Sequence, residues 1–106
     1  MNWEKLTIKA QEAVQEAQKK AESLGHQSIE NEHLLLALIS QKEGIIRPIL
    51  EKLGARADII ARDLERELKK IPHVEGGMGQ TYISPRLKQT LDTAFNEAER
   101  LKDEFV

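Results

Sequence analysis

The sequence predicts an all-α fold, a bundle of short helices, and three observations support this prediction. Apolar residues recur at three- and four-residue steps through most of the 106-residue chain, which is typical of helices that bury one face. Glycine or proline follows most of these stretches, at the points where a helix would have to end. Sustained alternation of apolar and polar residues, which would indicate half-buried strands, is missing, and only residues 81–83 (TYI) favour a brief extended segment.

The first helix is predicted over residues 7–24 and the second over about residues 31–40. Thr7 can cap the first helix with its hydroxyl, and Gly25 can adopt the left-handed conformation that stops it. The second helix contains the apolar run of residues 34–39 (LLLALI). Because this run covers every side of a helix, we expect the second helix to be central and buried, with the others packed around it.

The third helix is predicted to be short and the fourth to be amphipathic. Gly44 opens the third helix, and Gly54 ends it. The fourth helix covers residues 57–70 and is ended by Pro72, since proline cannot continue a helix. Its apolar face carries Ile60, Leu64 and Leu68.

A glycine-rich connector, residues 71–83, separates these four helices from a final one. Three glycines lie within residues 75–80, and each costs about 1 kcal/mol in a helix relative to alanine. We therefore predict a mobile link here. The final helix begins at Ser84-Pro85, a hydroxyl cap followed by proline at the first helical position.

The final helix repeats the first one at an offset of 77 residues. Few aligned residues are identical, but the hydroxyl cap and the apolar positions agree, which indicates an internal repeat. The chain is thus predicted to hold a first repeat in residues 1–70, the connector in 71–83, and the first helix of a truncated second repeat in 84–106. The matched pairs are Thr7 with Ser84, Val14 with Leu91, Ala17 with Ala94, Ala21 with Ala98 and Leu24 with Leu101.

The composition argues against several classes of function. Sixteen basic and eighteen acidic residues give a net charge of −2, too little positive charge to hold nucleic acid. Without cysteine there is no disulfide framework and no thiolate nucleophile. The longest apolar run, residues 34–39, is too short to span a membrane or to serve as a signal peptide, so we expect a cytoplasmic protein without a membrane contact.

The residues also predict neither a catalytic site nor a metal centre. His26, His33 and His73 do not have the spacing of metal ligands, so ordinary core or surface histidines are favoured. The glycines of the connector follow no predicted strand and lead to no Gly-Lys-Ser or Gly-Lys-Thr, as a phosphate-binding loop requires. We expect this piece to be non-enzymatic and to hold no cofactor of its own.

Several motifs taken together resemble the Clp repeat domain at the N-terminus of bacterial Clp-type AAA+ chaperones. These are residues 32–38 (EHLLLAL), 50–54 (LEKLG) and 83–87 (ISPRL). The connector, residues 71–77 (IPHVEGG) followed by 82–85 (YISP), is more similar to the disaggregase branch of the family than to the protease-linked branches. The resemblance implies a double-repeat helical bundle, of which this chain holds the first four-helix repeat and the first helix of the second.

The resemblance also implies a function. It points to the N-terminal substrate-binding domain of an ATP-dependent protein disaggregase, which takes unfolded or aggregated clients in an apolar groove between the repeats. The parent would be a hexameric ATPase with ATP and Mg²⁺ in further domains, a coiled-coil middle domain and a link to a DnaK-type chaperone system.

Carried over position by position, the implied substrate-binding residues are Thr7, Leu87, Leu91, Phe95 and Asp103. The three apolar residues would form a wall of the groove. From the residues alone, the same three positions are also compatible with an ordinary core, Leu91 more than Phe95, and Thr7 is compatible with a helix cap.

Two alternatives remain open at this point. In protease-linked relatives the N-domain docks adaptors or phosphoarginine-marked proteins. Glu32 is the candidate contact for the guanidinium, and the Thr7 hydroxyl is the candidate contact for the phosphate. A stand-alone helical interaction protein is the other alternative. Because the Leu-rich helix of the second repeat is not in the sequence, we expect the final helix to have a bare apolar face. It would be mobile, or packed against a second molecule in a packed or helix-exchanged dimer.

Overall fold

The computed structural model describes residues 3–73 and 81–101, which form helices joined by short turns. A 3₁₀ turn, Trp3–Lys5, precedes the first helix. Within these two ranges five α-helices and two very short strands follow, so the predicted all-α fold is confirmed. In chain order the elements are α1 (Ile8–Ser23), β1 (Ser28–Ile29), α2 (Asn31–Ser40), α3 (Ile46–Lys52), α4 (Ala57–Lys69), β2 (Tyr82–Ile83) and α5 (Pro85–Arg100).

Helices α1 and α5 begin and end at equivalent positions of the 77-residue repeat. Each has 16 residues and starts after a hydroxyl residue in extended conformation. The Thr7 hydroxyl accepts a hydrogen bond from the Ala10 N–H at 3.1 Å, and the Ser84 hydroxyl accepts one from the Leu87 N–H at 3.0 Å. In both helices the cap thus accepts from the N–H of the third helical residue, which has no carbonyl partner within the helix.

Substitution of the two caps is expected to have unequal effects. Ser84 is buried, so Ser84→Ala leaves the Leu87 N–H without a partner and without water, and we expect it to lower the free energy of unfolding by about 1–2 kcal/mol. Thr7 is exposed, and water can replace its hydroxyl, so Thr7→Ala should cost about 0.5–1 kcal/mol. Urea unfolding followed by circular dichroism measures both, and equal losses would contradict the role of burial.

Helix α2 is the centre of the bundle, as predicted, because it packs against α1, α3, α4 and α5. Its buried residues are His33, Leu36 and Ile39. The expectation that the whole helix is buried is wrong, since the side chain of Leu35 is 38% exposed. Leu35 points to a side of α2 that the described elements leave uncovered.

Helix α3 differs from the prediction in where it begins. It begins at Ile46 rather than at Gly44, and Gly54, with φ 86°, ends it as expected. None of its residues is buried. Three residues spaced four apart, Ile45, Ile49 and Leu53, expose their side chains and form an apolar stripe on the surface.

The strands β1 and β2 form one parallel pair that ties the start of α5 to the first four helices. Ser28 is opposite Tyr82, and Ile29 is opposite Ile83. The Tyr82 N–H donates to the Gln27 carbonyl and the Ser84 N–H donates to the Ile29 carbonyl, both at 3.1 Å. The brief extended segment predicted at residues 81–83 is therefore present, and its role is to position α5.

The expected bare face of α5 is wrong for its N-terminal half. Leu87 and Leu91 are only 1% and 5% exposed, and they share a core cluster with Ala17 and Ala21 of α1 and Ile29 of β1. The small alanine side chains of α1 leave room for the two leucines, and the parallel strand pair holds α5 in place. α5 thus packs within this chain and needs no second molecule to cover these two residues.

Candidate functional site

Three of the five predicted client contacts lie together on one face of α5. Leu87, Leu91 and Phe95 are spaced four residues apart, and all three belong to or pack against the core cluster. Leu87 and Leu91 are buried and would be unreachable for a client unless α5 moved, whereas Phe95 is half-buried. Thr7 is an exposed helix cap outside that cluster, and Asp103 lies outside the described residues.

The apolar face of α5 becomes accessible toward its C-terminal end. Ala94, Phe95 and Ala98 are half-buried, and Leu101, the residue that caps the helix, is 60% exposed. At 100° per residue, these four positions lie within one face of the helix together with the buried leucines. The stripe that fills the core near Leu87 therefore continues to the surface at Phe95 and Leu101. We call this surface the α5 apolar edge, consisting of Ala94, Phe95, Ala98 and Leu101.

Glu32, the alternative contact for phosphoarginine, already holds an arginine of this chain. The Arg86 guanidinium Nη2 lies 2.5 Å from Glu32 Oε1 and 3.6 Å from Glu30 Oε1. These three residues line a shallow cavity of about 340 Å³ between the starts of α2 and α5 and the end of α4, and Thr7 is not part of its lining. The carboxylates that an external guanidinium would need are thus engaged in docking α5.

Two of the three histidines form a buried pair that the sequence analysis missed. His26, in the turn after α1, places Nδ1 2.8 Å from Nε2 of His33 on α2. The Glu30 N–H donates to the other ring nitrogen of His33, Nδ1, at 2.8 Å. One feature of the sequence could have indicated the bond to Glu30. His33 occupies the third position of α2, where a side chain can accept a hydrogen bond from the backbone of the cap residue.

Burial lowers the pKa of both histidines because the low-dielectric interior disfavours the charged ring. The nearby His26 ring lowers the pKa of His33 further, and the carboxylate of Glu30 opposes both shifts. Within residues 3–73 and 81–101, no group of three or more histidine, aspartate or glutamate side chains is arranged to hold a metal ion. The two rings form a hydrogen-bonded part of the core, and their lowered pKa favours the neutral form.

No helix in the described part of the chain is long and apolar enough to cross a membrane. Exposed large apolar side chains lie on several elements of the described chain, among them Ile8 on α1, Leu35 on α2, Ile59 on α4 and Tyr82 on β2, besides the α3 stripe and Leu101.

Comparison with known families identifies the class of protein. The model of the Clp repeat (R) N-terminal domain matches residues 5–106, and the chain belongs to this family. Among curated relatives, the chaperone protein ClpB of Rhodopirellula baltica is 42% identical over 103 residues, which is 97% of this chain. ClpB of Nitratidesulfovibrio vulgaris is 42% identical over 105 residues. The chain spans about 12% of the length of each of these relatives.

Solved structures share the fold at lower sequence identity. The N-terminal domain of the ClpV1 ATPase from Escherichia coli EAEC superposes with a TM-score of 0.88 at 22% identity, covering 97% of this chain and 62% of that one. The N-domain of ClpV from Vibrio cholerae gives a TM-score of 0.83 at 18% identity, covering 96% and 60%. The arrangement of α1 to α5 is thus the arrangement of Clp N-domains.

Proposed function

We propose that this chain is the client-binding N-terminal part of an ATP-dependent disaggregase of the ClpB type, and that unfolded or aggregated proteins contact it at the α5 apolar edge. The observation that carries the proposal is the apolar face of α5, which continues from the buried Leu87 and Leu91 to the accessible Phe95 and Leu101. Phe95 is the principal contact, and the two buried leucines hold α5 in position.

The chemistry of the α5 apolar edge suits such clients. Misfolded chains share exposed apolar side chains and little else, so a receptor for many of them needs an accessible apolar surface without a fixed hydrogen-bonding pattern. Charged residues flank the edge, as in the Arg100–Glu97 pair at 2.8 Å, and they keep the surface soluble when no client is bound.

The relatives support the type of parent protein and the type of ligand that we propose. This chain spans about 12% of the length of the matched ClpB chaperones. Our proposal assigns ATP and Mg²⁺ binding, hexamer formation and a link to a DnaK-type system to further domains of such a parent. A structure of the ClpV N-domain in complex with a VipB peptide superposes with a TM-score of 0.79 at 18% identity. That N-domain takes a protein segment as ligand, which is the kind of ligand proposed for this chain. A cytoplasmic location follows from the same proposal.

The competing function, docking of adaptors or phosphoarginine-marked proteins, requires a free Glu32. Arg86 pairs with this carboxylate, so a phosphoarginine ligand would first have to displace the arginine that anchors α5. Client binding at the α5 apolar edge requires no such displacement.

An NMR titration with a permanently unfolded protein, reduced and carboxymethylated lactalbumin, tests the proposal. We expect shift changes at Phe95, Ala98 and Leu101, and we expect Phe95→Ala to weaken binding about tenfold because a buried aromatic anchor contributes on this scale. Thr93→Ala, on the opposite side of α5, is the matched control and should bind as the unaltered chain does.

Free phosphoarginine in the same experiment separates the alternatives. It should leave the spectrum unchanged, whereas shifts at Glu32 and Arg86 would favour the docking function instead. Client-induced shifts confined to the stripe of Ile45, Ile49 and Leu53 on α3 would also contradict the proposed surface.

A further inference from the structure

The short segment of residues 26–30 connects the buried histidine pair to the docking of α5. His26 begins the segment, and Glu30, which ends it, donates its N–H to His33. Between them, the carbonyls of Gln27 and Ile29 accept the two hydrogen bonds from the strand before α5. The Ile29 side chain packs in the same cluster as Leu87 and Leu91. A change in the histidine pair therefore reaches α5 through a chain of direct contacts.

The hydrogen bonds assign one tautomer to each ring. Because the Glu30 N–H donates to His33 Nδ1, that nitrogen carries no proton, and the neutral His33 ring carries its proton on Nε2. Nε2 then donates across the 2.8 Å contact to His26 Nδ1, so His26 carries its own proton on Nε2. This is the one arrangement of two neutral rings that satisfies both bonds.

An added proton cannot be accommodated in this arrangement. On His33 the added proton would occupy Nδ1, and this N–H would face the Glu30 N–H, so that two donors would meet without an acceptor. On His26 it would occupy Nδ1 and face the proton on His33 Nε2. Shifting the His33 proton to Nδ1 relieves the second conflict only by creating the first. Each protonation state other than the neutral pair therefore breaks one of the two 2.8 Å contacts in a buried site.

We propose that the His26–His33 pair is a proton-sensitive lock that keeps α5 docked while both rings are neutral and releases it when the pair takes up a proton. The bond lost at Glu30 loosens residues 26–30, and with them the two backbone bonds to the strand before α5 and the position of Glu30 beside Arg86. The lock concerns the position of α5 and does not depend on what α5 binds.

The surrounding charges set the direction of the effect. The groups that face the pair are Lys20 on α1, Glu30 and Glu32 at the start of α2, and His73 after α4. Burial dominates over all of them and lowers the pKa of both rings below the ordinary value near 6.5. The docked state thus binds fewer protons than the released state below about pH 6.5, so docking weakens as the pH falls through that value.

Amide hydrogen exchange measured by NMR between pH 7 and pH 5 tests the lock. An undocked helix of 16 residues is marginal in water, so release of α5 removes protection from its amides. We expect the protection factors of Leu91 and Phe95 to fall over this range, by up to tenfold for each pH unit in which the released state binds one more proton than the docked state. The fall should follow the imidazole titration of His26 and His33, whereas Ala13 and Val14 in α1 should lose less protection.

Three outcomes would overturn the proposal. The first is that amide exchange in α5 does not follow the imidazole titration of the pair. The second is that α1 and α5 lose protection equally. The third is that the pH dependence of α5 exchange disappears in His73→Gln. The last variant is the matched control, because His73 is the remaining histidine of the chain and its side chain is exposed. In the double variant His26→Gln/His33→Gln the pH dependence of α5 exchange should vanish. If that variant does not fold, the unaltered chain and His73→Gln still decide the question.

Discussion

Ile39→Ala is expected to lower the free energy of unfolding by about 2–5 kcal/mol, the range observed when a large buried aliphatic side chain is reduced to alanine. Ile39 is completely buried on α2, the helix that all the other helices contact. Its removal leaves a cavity that the surrounding helices cannot fill without shifting. Because small domains are stable by only about 5–15 kcal/mol, this loss removes a large fraction of the total stability and should clearly lower the urea midpoint.

Leu35→Ala is the control for this prediction, because Leu35 lies on the same helix and is 38% exposed. We expect it to cost about 1 kcal/mol or less, since much of its side chain is already in contact with water. Urea unfolding of both variants measures the difference in their free energies of unfolding, provided that the two m-values are equal. Similar losses of stability for the two variants would contradict the finding that α2 buries Ile39 and exposes Leu35.

Leu87→Ala is expected to cost about 2–5 kcal/mol, with its effect concentrated on α5. Leu87 is 1% exposed and connects α5 to Ile29 and the alanines of α1 in the core cluster. Without this side chain the first turn of α5 loses its main apolar contact. Hydrogen exchange should therefore increase more at the amides of α5 than at those of α4, and thermal unfolding should broaden as α5 separates from the rest.

Leu101→Ala is the matched control at the other end of α5. Leu101 is 60% exposed, so its removal should change the free energy of unfolding by less than about 0.5 kcal/mol. If Leu101→Ala destabilised the chain as much as Leu87→Ala does, the docking of α5 would depend on its C-terminal end, and the α5 apolar edge could not be free to receive a client.

Helix boundaries were the most predictable part of the structure because the forces that set them are local. A hydroxyl cap reaches an N–H three residues away, and a glycine with positive φ stops a helix on its own. Thr7, Ser84, Gly25 and Gly54 all behave as predicted. The 77-residue repeat was visible for the same reason, since equivalent helices need equivalent caps and apolar periods.

The accessible part of the candidate site was less predictable. A four-residue spacing shows that Leu87, Leu91 and Phe95 share one face of α5, but it does not show which of them a neighbouring helix covers. The prediction of a bare face on α5 failed because the strand pair formed by β1 and β2 brings this helix onto α1 and α2. Two-residue strands have too few residues to leave a periodic signal in a sequence.

The sequence by itself determined that this protein is helical and has two equivalent capped helices, because caps and apolar periods act over three or four residues. The Clp repeat family was indicated separately, by the resemblance of its motifs. Only the tertiary structure decided that Arg86 pairs with Glu32, 54 residues away, and that His26 and His33 share a buried hydrogen bond. Such contacts depend on how the helices pack, and packing brings together side chains whose separation along the chain carries no information about their distance in space.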